Sequence, residues 1–299
     1  MKTARLTGRQ RLAVSIPLGW LLVCVALPVL LVLGLAFGEV ADRIPPIEPL
    51  LRIAAGRPTV HLTLHNLAAA ATDPLYASAF GSALLNALET TALCVLIGYP
   101  FAYAIALAPE RQRRLYVLLA VLPFWTSFLM RTYAWMGLIR DKGPVNHLLL
   151  ALGVVNEPVP ILYSPAAVLL VMVYAYVPFF ILPMYAVLER LPRDLLEAAA
   201  DLGARPFYAF RTVTLPLSLP GLLAGSVLVF VPAVGEYIIP DLVGNTDTIM
   251  IGGILWAEFF QNRDWPAAAS IAFLMMALLV VPFLVLRRLL ASLGGARPA

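Results

Sequence analysis

The sequence predicts an all-α integral membrane protein with six transmembrane helices. Of its 299 residues, 61% are hydrophobic and only 13% are charged, and the mean hydropathy is +0.88. Soluble domains average about 25% charged residues, so this composition does not suit a protein surrounded by water. Six long stretches nearly free of charged residues each supply the roughly 20 residues that cross a bilayer as a helix. Backbone polar groups in lipid must be satisfied internally, and the stretches lack the alternation of a membrane barrel, so helices are expected.

The predicted spans divide the chain into a regular series of membrane segments and loops. The spans are residues 12–38, 79–108, 115–139, 164–188, 219–240 and 265–286. An N-terminal segment (1–11) precedes them, and a tail (289–299) follows them. The first span has too long an apolar stretch for a signal peptide, so we expect it to be retained. The fourth and fifth spans are joined by a loop, residues 189–218, that is too polar to cross a membrane.

The distribution of Lys and Arg predicts the orientation. Fourteen of the 21 basic residues fall on the side that holds both termini and the 189–218 loop, and six fall on the other side. Because basic residues concentrate in cytoplasmic loops, both termini are predicted to be cytoplasmic in a bacterial inner membrane. The segment 39–78 is then periplasmic, and its helix-compatible part is expected to lie along the membrane surface. His61 and His65 are too few ligands for a metal site, and none is expected.

The loop 189–218 combines an Ala-rich helical half with a Pro-punctuated half. Glu197 and Asp201 are four residues apart and share one helix face. Gly203 permits a left-handed turn that ends this helix. Pro206 can start a second helix, and Pro216 is expected to stop it before the fifth span. The pattern predicts two helices joined by a glycine turn at the membrane face. This elbow is either a docking surface or a loop held only by its own spans.

The loop resembles the EAA loop of permeases from binding-protein-dependent ABC importers. Seven positions match that pattern at its fixed spacing: Glu197, Ala198, Ala199, Gly203, Val213, Leu215 and Pro216. The resemblance implies a type I ABC importer permease (MetI-like) fold with its core in residues 79–288, and a helix that docks on an ATPase subunit. By this resemblance the ATPase-coupling residues are Glu197, Ala198, Ala199, Asp201, Gly203 and Pro216. We refer to residues 189–218 as the EAA loop.

The chain is predicted to be a transporter subunit and not an enzyme. It contains no Gly-x-x-x-x-Gly-Lys-Ser/Thr phosphate loop, so ATP hydrolysis is expected on another polypeptide. We expect no catalytic residue and no cofactor on this chain, with ATP and Mg²⁺ bound by the partner ATPase. The family implies a second permease that forms a heterodimer with this chain, two ATPase subunits and a periplasmic solute-binding protein. No basic patch with interleaved aromatic residues suggests nucleic-acid binding.

Ionisable residues within the predicted spans indicate where a solute would pass. Such residues are costly in lipid and are functional candidates by default, although Glu89 and Arg131 could simply pair with each other. The candidate solute path comprises Glu89, Arg131, Tyr174, Glu236, Tyr237, Asp241, Trp256 and Glu258. Carboxylates together with aromatic rings suit an organic cation. Glu236 has no obvious partner in its own span.

Four further stretches resemble permeases of polyamine importers, most closely the first permease of putrescine importers. They are Leu122–Ile139, Val173–Tyr185, Val229–Gly244 and Ile249–Pro266. The resemblance implies import of putrescine or spermidine, with selectivity set mostly by the binding protein. Another small organic cation or an opine-like solute is the alternative. A secondary transporter is a third possibility, but it would have no use for the EAA loop.

Overall fold

The computed structural model describes residues 8–48, 51–54, 57–60, 62–245 and 248–294. Four of its helices are long and apolar enough to cross a membrane: Val14–Ala36, Pro74–Leu107, Pro165–Leu188 and Pro206–Val234. A bent pair, Glu110–Trp125 and Phe128–Ala151, passes the same test together. The apolar stretch Trp265–Val281 begins the last helix. Each of the six predicted spans overlaps one of these segments, and the all-α membrane fold is confirmed.

The elements follow one another closely along the chain. The helices are α1 (Gly8–Ala36), α2 (His65–Thr72), α3 (Pro74–Leu107), α4 (Glu110–Val121), α5 (Phe128–Ile139), α6 (Pro144–Ala151), α7 (Pro165–Leu188), α8 (Arg193–Asp201), α9 (Pro206–Ala209), α10 (Leu215–Val234), α11 (Ile238–Val243), α12 (Ile251–Trp256) and α13 (Trp265–Gly294). Two strands, β1 (Leu51–Ala54) and β2 (Arg57–Val60), pair antiparallel. A 3-10 turn covers Leu122–Trp125, and π-helical turns cover Phe210–Thr214 and Ala257–Gln261.

The first of two compact units, which we call the terminal unit, contains the chain up to Ala77 and from Ile254 onward. Within it, α13 packs against both α1 and α2. Ser270 donates a hydrogen bond to the carbonyl oxygen of Ala36 at 3.2 Å, and the Asn66 amide donates to that of Gly38 at 2.9 Å. Carbonyl groups at a helix end have no partner within the helix, so these two side chains fix the end of α1.

The segment 39–78 contains more regular structure than the sequence indicated. The helix-compatible part forms α2, and β1 and β2 form a hairpin with Leu51 opposite Val60. The hairpin was not predicted because strands of four residues are too short for alternation to stand out from chance. His61, one of the two histidines weighed as metal ligands, lies outside the described residues.

The central unit, Ser78–Gly253, is built around close packing of α7 on α10. A β-carbon on Gly225 of α10 would lie 2.8 Å from Phe180 Cδ2, and one on Gly221 would lie 2.9 Å from Val187 Cβ. The two glycines are four residues apart and therefore share a helix face. Small residues at this spacing let transmembrane helices approach closely, which is the main source of helix association in lipid. Phe180 is fully buried in this interface.

The third predicted span, 115–139, is not one continuous helix. Its two halves, Glu110–Trp125 and Phe128–Ala151, are bent by 93°. The bend follows Pro123, which has no backbone N–H to continue an α-helix and lies in the 3-10 turn. Thr126 is then extended, and its hydroxyl donates to the Pro123 carbonyl oxygen at 2.8 Å. The third predicted span is therefore divided at Pro123 into two segments of different direction.

The fifth span begins earlier than the predicted residue 219, and Pro216 does not stop the preceding helix. A continuous helix runs over Pro206–Val234. The π-helical turn immediately precedes Pro216, and its closing bond runs from the Leu215 N–H to the Phe210 carbonyl oxygen. A wider turn at this point accommodates a proline that lacks an N–H and would crowd the carbonyl group four residues back. The second half of the EAA loop is thus the first part of the spanning helix.

Candidate functional site: the EAA loop and the Glu236 turn

A glycine-terminated motif ends α8, the helix that carries most of the EAA loop match. Gly203 has φ +81°, in the left-handed region. The Ala204 N–H donates to the Ala199 carbonyl oxygen at 3.0 Å, and the Gly203 N–H donates to that of Ala200 at 2.8 Å. These two bonds define a Schellman motif, in which glycine avoids a penalty of about 1–2 kcal/mol that a β-carbon would bring. The left-handed turn predicted at Gly203 is confirmed.

The EAA loop presents an uncovered surface that is both charged and apolar. Of the predicted coupling residues, Glu197, Ala198, Asp201, Gly203 and Pro216 are exposed and Ala199 is half-buried. Leu202 is 89% exposed, Phe207 75% and Tyr208 63%. A groove of about 530 Å³ lies where the end of α8 meets α9. A group of large apolar side chains this exposed, next to charged ones, is typical of a protein-interaction surface.

The carboxylate of Glu236 is buried in a turn, which we call the Glu236 turn (residues 235–237). Because α10 ends at Val234, Glu236 lies between helices and not inside a span as predicted. Its Oε1 accepts hydrogen bonds from the backbone N–H groups of Ile238, at 2.9 Å, and Ile239, at 3.2 Å. Its Oε2 accepts one from the Tyr176 hydroxyl at 2.5 Å. Glu236 therefore has three donors where the sequence indicated no partner.

The Glu236 turn is also enclosed from the side of α12. A β-carbon on Gly252 would lie 2.5 Å from the Gly235 carbonyl oxygen and 3.0 Å from that of Glu236, so only glycine fits there. Glu236 is 8% exposed. Within the described part of the chain, the ion pairs join Arg113 to Glu189 and Arg114 to Glu110, and neither involves Glu236. The buried carboxylate is hydrogen-bonded but has no cationic side chain beside it there.

Arg131 and Glu89 do not pair in the described structure. The Arg131 guanidinium lies over two aromatic rings, 5.6 Å from the centroid of Phe124 and 5.7 Å from that of Phe128. Its Nε and Nη1 are buried and find no hydrogen-bond partner among the described residues. Glu89 is exposed on α3. Aromatic faces attract a guanidinium electrostatically, and this contact replaces the ion pair that the sequence left open.

The remaining predicted path residues of the central unit are Tyr174, Tyr237 and Asp241. Tyr174 on α7 makes an edge contact with Trp135 on α5, with ring centroids 5.3 Å apart. Tyr237 immediately precedes α11, and Asp241 is exposed in its first turn. Because α11 packs against both α5 and α7, it lies beside the helices that carry Arg131 and Tyr174.

Trp256 and Glu258 belong to the terminal unit. Glu258 accepts hydrogen bonds from the Tyr76 hydroxyl at 3.3 Å and from the Asn262 amide at 2.9 Å. The rings of Trp256 and Phe260 lie 5.6 Å apart. Over the described ranges, no group of three His, Cys, Asp or Glu side chains could hold a metal ion.

Tyr176 is the residue of this region that sequence reasoning missed. It is one of several aromatic residues of the fourth predicted span. It lies 60 positions before Glu236, so no local pattern links the two. A physical argument could have pointed to it. A buried carboxylate requires a hydrogen-bond donor, and a tyrosine hydroxyl on a neighbouring span can supply one.

Comparison with known proteins identifies the family. Residues 98–293 match the model of the binding-protein-dependent transport system inner membrane component. The chain is 37% identical over 261 residues to the "Spermidine/putrescine transport system permease protein PotB" of Salmonella typhimurium strain SL1344, covering 87% of this chain and 86% of the relative. It is also 37% identical over 275 residues to the protein of that name from Escherichia coli K12, covering 91% and 95%.

A solved structure shares the fold. The chain superposes with a TM-score of 0.63 on a subunit of a bacterial ABC transporter that imports the acidic polysaccharide alginate, covering 96% of this chain and 99% of that one. Sequence identity there is 15%, so the likeness concerns the fold alone. The family match covers most of the chain and agrees with the helical architecture. The chain therefore belongs to the family of inner membrane components of binding-protein-dependent transport systems, which are ABC importer permeases and not enzymes.

Proposed function

We propose that this permease forms the translocation path of an ATP-driven importer for polyamines, putrescine or spermidine. The observation that carries the proposal is the 37% identity to a spermidine/putrescine permease over 91% of this chain. Both termini lie in the cytoplasm in this proposal, on the strength of the basic-residue distribution. The importer contains a second permease, two ATPase subunits that bind ATP and Mg²⁺, and a periplasmic solute-binding protein.

The buried carboxylate of Glu236 supports a cationic solute. It is 8% exposed and has no basic side chain paired with it in the described part of the chain. Opposite charges attract more strongly where water is scarce, so an ammonium group passing the Glu236 turn gains more than it would in solvent. The rings of Tyr174 and Trp135, on the helices α7 and α5 that pack against α11, offer cation–π contact elsewhere along the path. In the central unit the proposed path residues are Glu89, Arg131, Tyr174, Glu236, Tyr237 and Asp241. Trp256 and Glu258, in the terminal unit, are further candidates for contact with the solute.

The exposed face of the EAA loop supports coupling to a separate ATPase. Glu197 and Asp201 offer two carboxylates on one helix turn, and Leu202 and Phe207 offer apolar surface beside them. Burying these apolar side chains against a partner is favourable, since each removes surface from water. Movement of the ATPase on nucleotide binding would then be passed directly to the helix Pro206–Val234.

Uptake by cells that lack their own polyamine importers tests the solute. The permease is expressed with its second permease, ATPase and binding protein, and initial uptake of radiolabelled putrescine and spermidine is measured. We expect saturable uptake that unlabelled polyamines compete with and sulfate does not. Uptake of another radiolabelled organic cation, with no uptake of either polyamine, would assign the importer to that cation instead.

The energy source separates an ABC importer from a secondary transporter. An ATPase subunit with its phosphate-loop Lys replaced by Ala should abolish uptake, because hydrolysis then stops. Uptake that persists with this ATPase and collapses when the membrane potential is dissipated would instead indicate a secondary carrier.

A further inference from the structure

An ion pair ties together two helix ends beside the EAA loop. Arg113 on α4 donates from Nη1 to Oε1 of Glu189, the residue that follows α7, at 3.0 Å. Its Nη2 also donates to the carbonyl oxygen of Ala108, which follows α3, at 3.2 Å. One guanidinium therefore holds the ends of α3 and α7 together. We call this group of contacts the Arg113 junction.

The Arg113 junction is more sheltered than an ordinary surface ion pair. The side chains of Arg113 and Glu189 are 20% and 40% exposed, whereas those of the adjacent pair, Arg114 and Glu110, are 79% and 74% exposed. Exposed pairs separated by four residues on a helix contribute about 0.3–0.5 kcal/mol. Hydrogen bonds from Tyr185 and from Arg113 lower the pKa of Glu189, because both stabilise its charged form.

A small cavity lies between the Arg113 junction, α8 and the π-helical turn. It has a volume of about 200 Å³ and is lined by Arg113, Glu189, Leu196 of α8 and Thr214 of the π-helical turn, among others. The Nε of Arg113 and the hydroxyl of Thr214 are buried and have no hydrogen-bond partner among the described residues. Unpaired buried polar groups are unfavourable, so a small rearrangement here loses fewer hydrogen bonds than one in a fully paired core. We therefore expect α8, which reaches this cavity through Leu196, to change position here more easily than at a fully paired contact.

We propose that Arg113 is a positioning residue that transmits movement of the EAA loop to the spanning helices α3 and α7. The inference rests on the proposed coupling of the EAA loop to an ATPase. Only three residues, 190–192, separate Glu189 from α8, so a displacement of α8 pulls directly on Glu189. Arg113 passes that displacement to the Ala108 carbonyl group and hence to the end of α3. Without the guanidinium, α8 would move while the helix ends stayed in place.

Charge exchange at the Arg113 junction tests this role. Arg113→Glu and Glu189→Arg are made singly and together and reconstituted in proteoliposomes with the second permease, the ATPase and the binding protein. Polyamine transported per ATP hydrolysed is measured together with the amount of ATPase that co-purifies. Each single variant should lower the transport ratio at least about fivefold, the lower end of typical allosteric coupling, with unchanged co-purification. The double variant should recover to within about twofold of the original.

Arg114→Glu is the matched control, because it reverses a charge at the next residue in an exposed pair. It should leave the transport ratio unchanged. A normal ratio in Arg113→Glu, or an equal loss in Arg114→Glu, would overturn the inference. If Arg113→Glu does not reach the membrane, the milder Glu189→Gln replaces it and must lower the ratio for the inference to stand. Gly203→Pro distinguishes the two proposals: if it too transports normally, the coupling function of the EAA loop is wrong.

Discussion

The EAA loop and the Glu236 turn lie at opposite ends of one helix, Pro206–Val234, yet they differ in almost every physical respect. The helix has 29 residues, which at 1.5 Å per residue gives about 44 Å. Near its start, the apolar side chains of Leu202 and Phe207 are exposed. At its end, Glu236 is buried and accepts three hydrogen bonds from its own chain. One end exposes apolar and charged side chains, whereas the other holds a buried carboxylate with hydrogen bonds from the same chain.

This difference shows that a site can be predicted from sequence when the residues that shape it are close together in the chain. The EAA loop is recognised by residues at fixed local spacing, and its Gly203 turn is set by neighbours within five positions. The Glu236 turn depends on Tyr176, 60 residues away, and on Gly252. Local patterns predict local geometry, whereas the state of a buried charge depends on which helices meet around it.

The largest expected effect is that of Gly203→Pro. Proline fixes φ near −65°, whereas Gly203 has φ +81° and donates its N–H to Ala200. The substitution removes both the positive φ and the hydrogen bond, which destabilises the folded loop by about 3 kcal/mol or more. The chain can then no longer turn from α8 into α9. Polyamine uptake should fall roughly a hundredfold while the protein stays in the membrane, measured by radiolabelled uptake and by immunodetection in membrane fractions.

A glycine with the same geometry elsewhere provides the control. Gly153 has φ +68°, and its neighbourhood shows the same pair of bonds, from Gly153 to Leu150 and from Val154 to Leu149. Gly153→Pro should disturb the end of α6 to a similar extent and leave most uptake intact. An equal loss of uptake in both variants would mean that the EAA loop has no special role.

The second effect concerns the charge of Glu236. Glu236→Gln keeps the side chain's size and can still accept the backbone N–H of Ile238, but it removes the negative charge. We expect the KM for polyamine uptake to rise about tenfold, equivalent to about 1.4 kcal/mol. Tyr176→Phe removes one hydrogen bond and keeps the charge, so it should lower thermal stability with little change in KM.

This pair of variants separates attraction of a cation from support of the fold. If Glu236→Gln destabilises the protein as Tyr176→Phe does and leaves KM unchanged, then Glu236 is only a structural link in its turn. Glu157→Gln, at an exposed position, should change neither quantity.

The sequence predicted the six spans and the glycine turn but not how prolines act within them. Pro123 breaks the third span with a 93° bend, whereas Pro216 lies within a continuous helix because a π-helical turn precedes it. A proline removes the same N–H in both cases, so tertiary surroundings decide between a break and an adjustment. The Arg113 junction was likewise invisible, because Glu189 is 76 residues away from Arg113.

The smallest expected effect tests whether close packing of α10 on α7 carries movement between the EAA loop and the Glu236 turn. A β-carbon on Gly225 would lie 2.8 Å from Phe180 Cδ2 and 3.1 Å from the Phe180 carbonyl oxygen. The ring can shift but the carbonyl group cannot, so Gly225→Ala should separate α10 from α7 slightly at a cost of about 1–3 kcal/mol. Gly81→Ala, where nothing lies within 4 Å of the added carbon, is the control. Thermal unfolding in detergent should show a lower midpoint for Gly225→Ala only.

If the packing of α10 on α7 carries movement from the EAA loop to the Glu236 turn, polyamine transported per ATP hydrolysed should fall a few-fold in Gly225→Ala alone. A lower midpoint with an unchanged transport ratio would show that packing holds the helices together without carrying the movement.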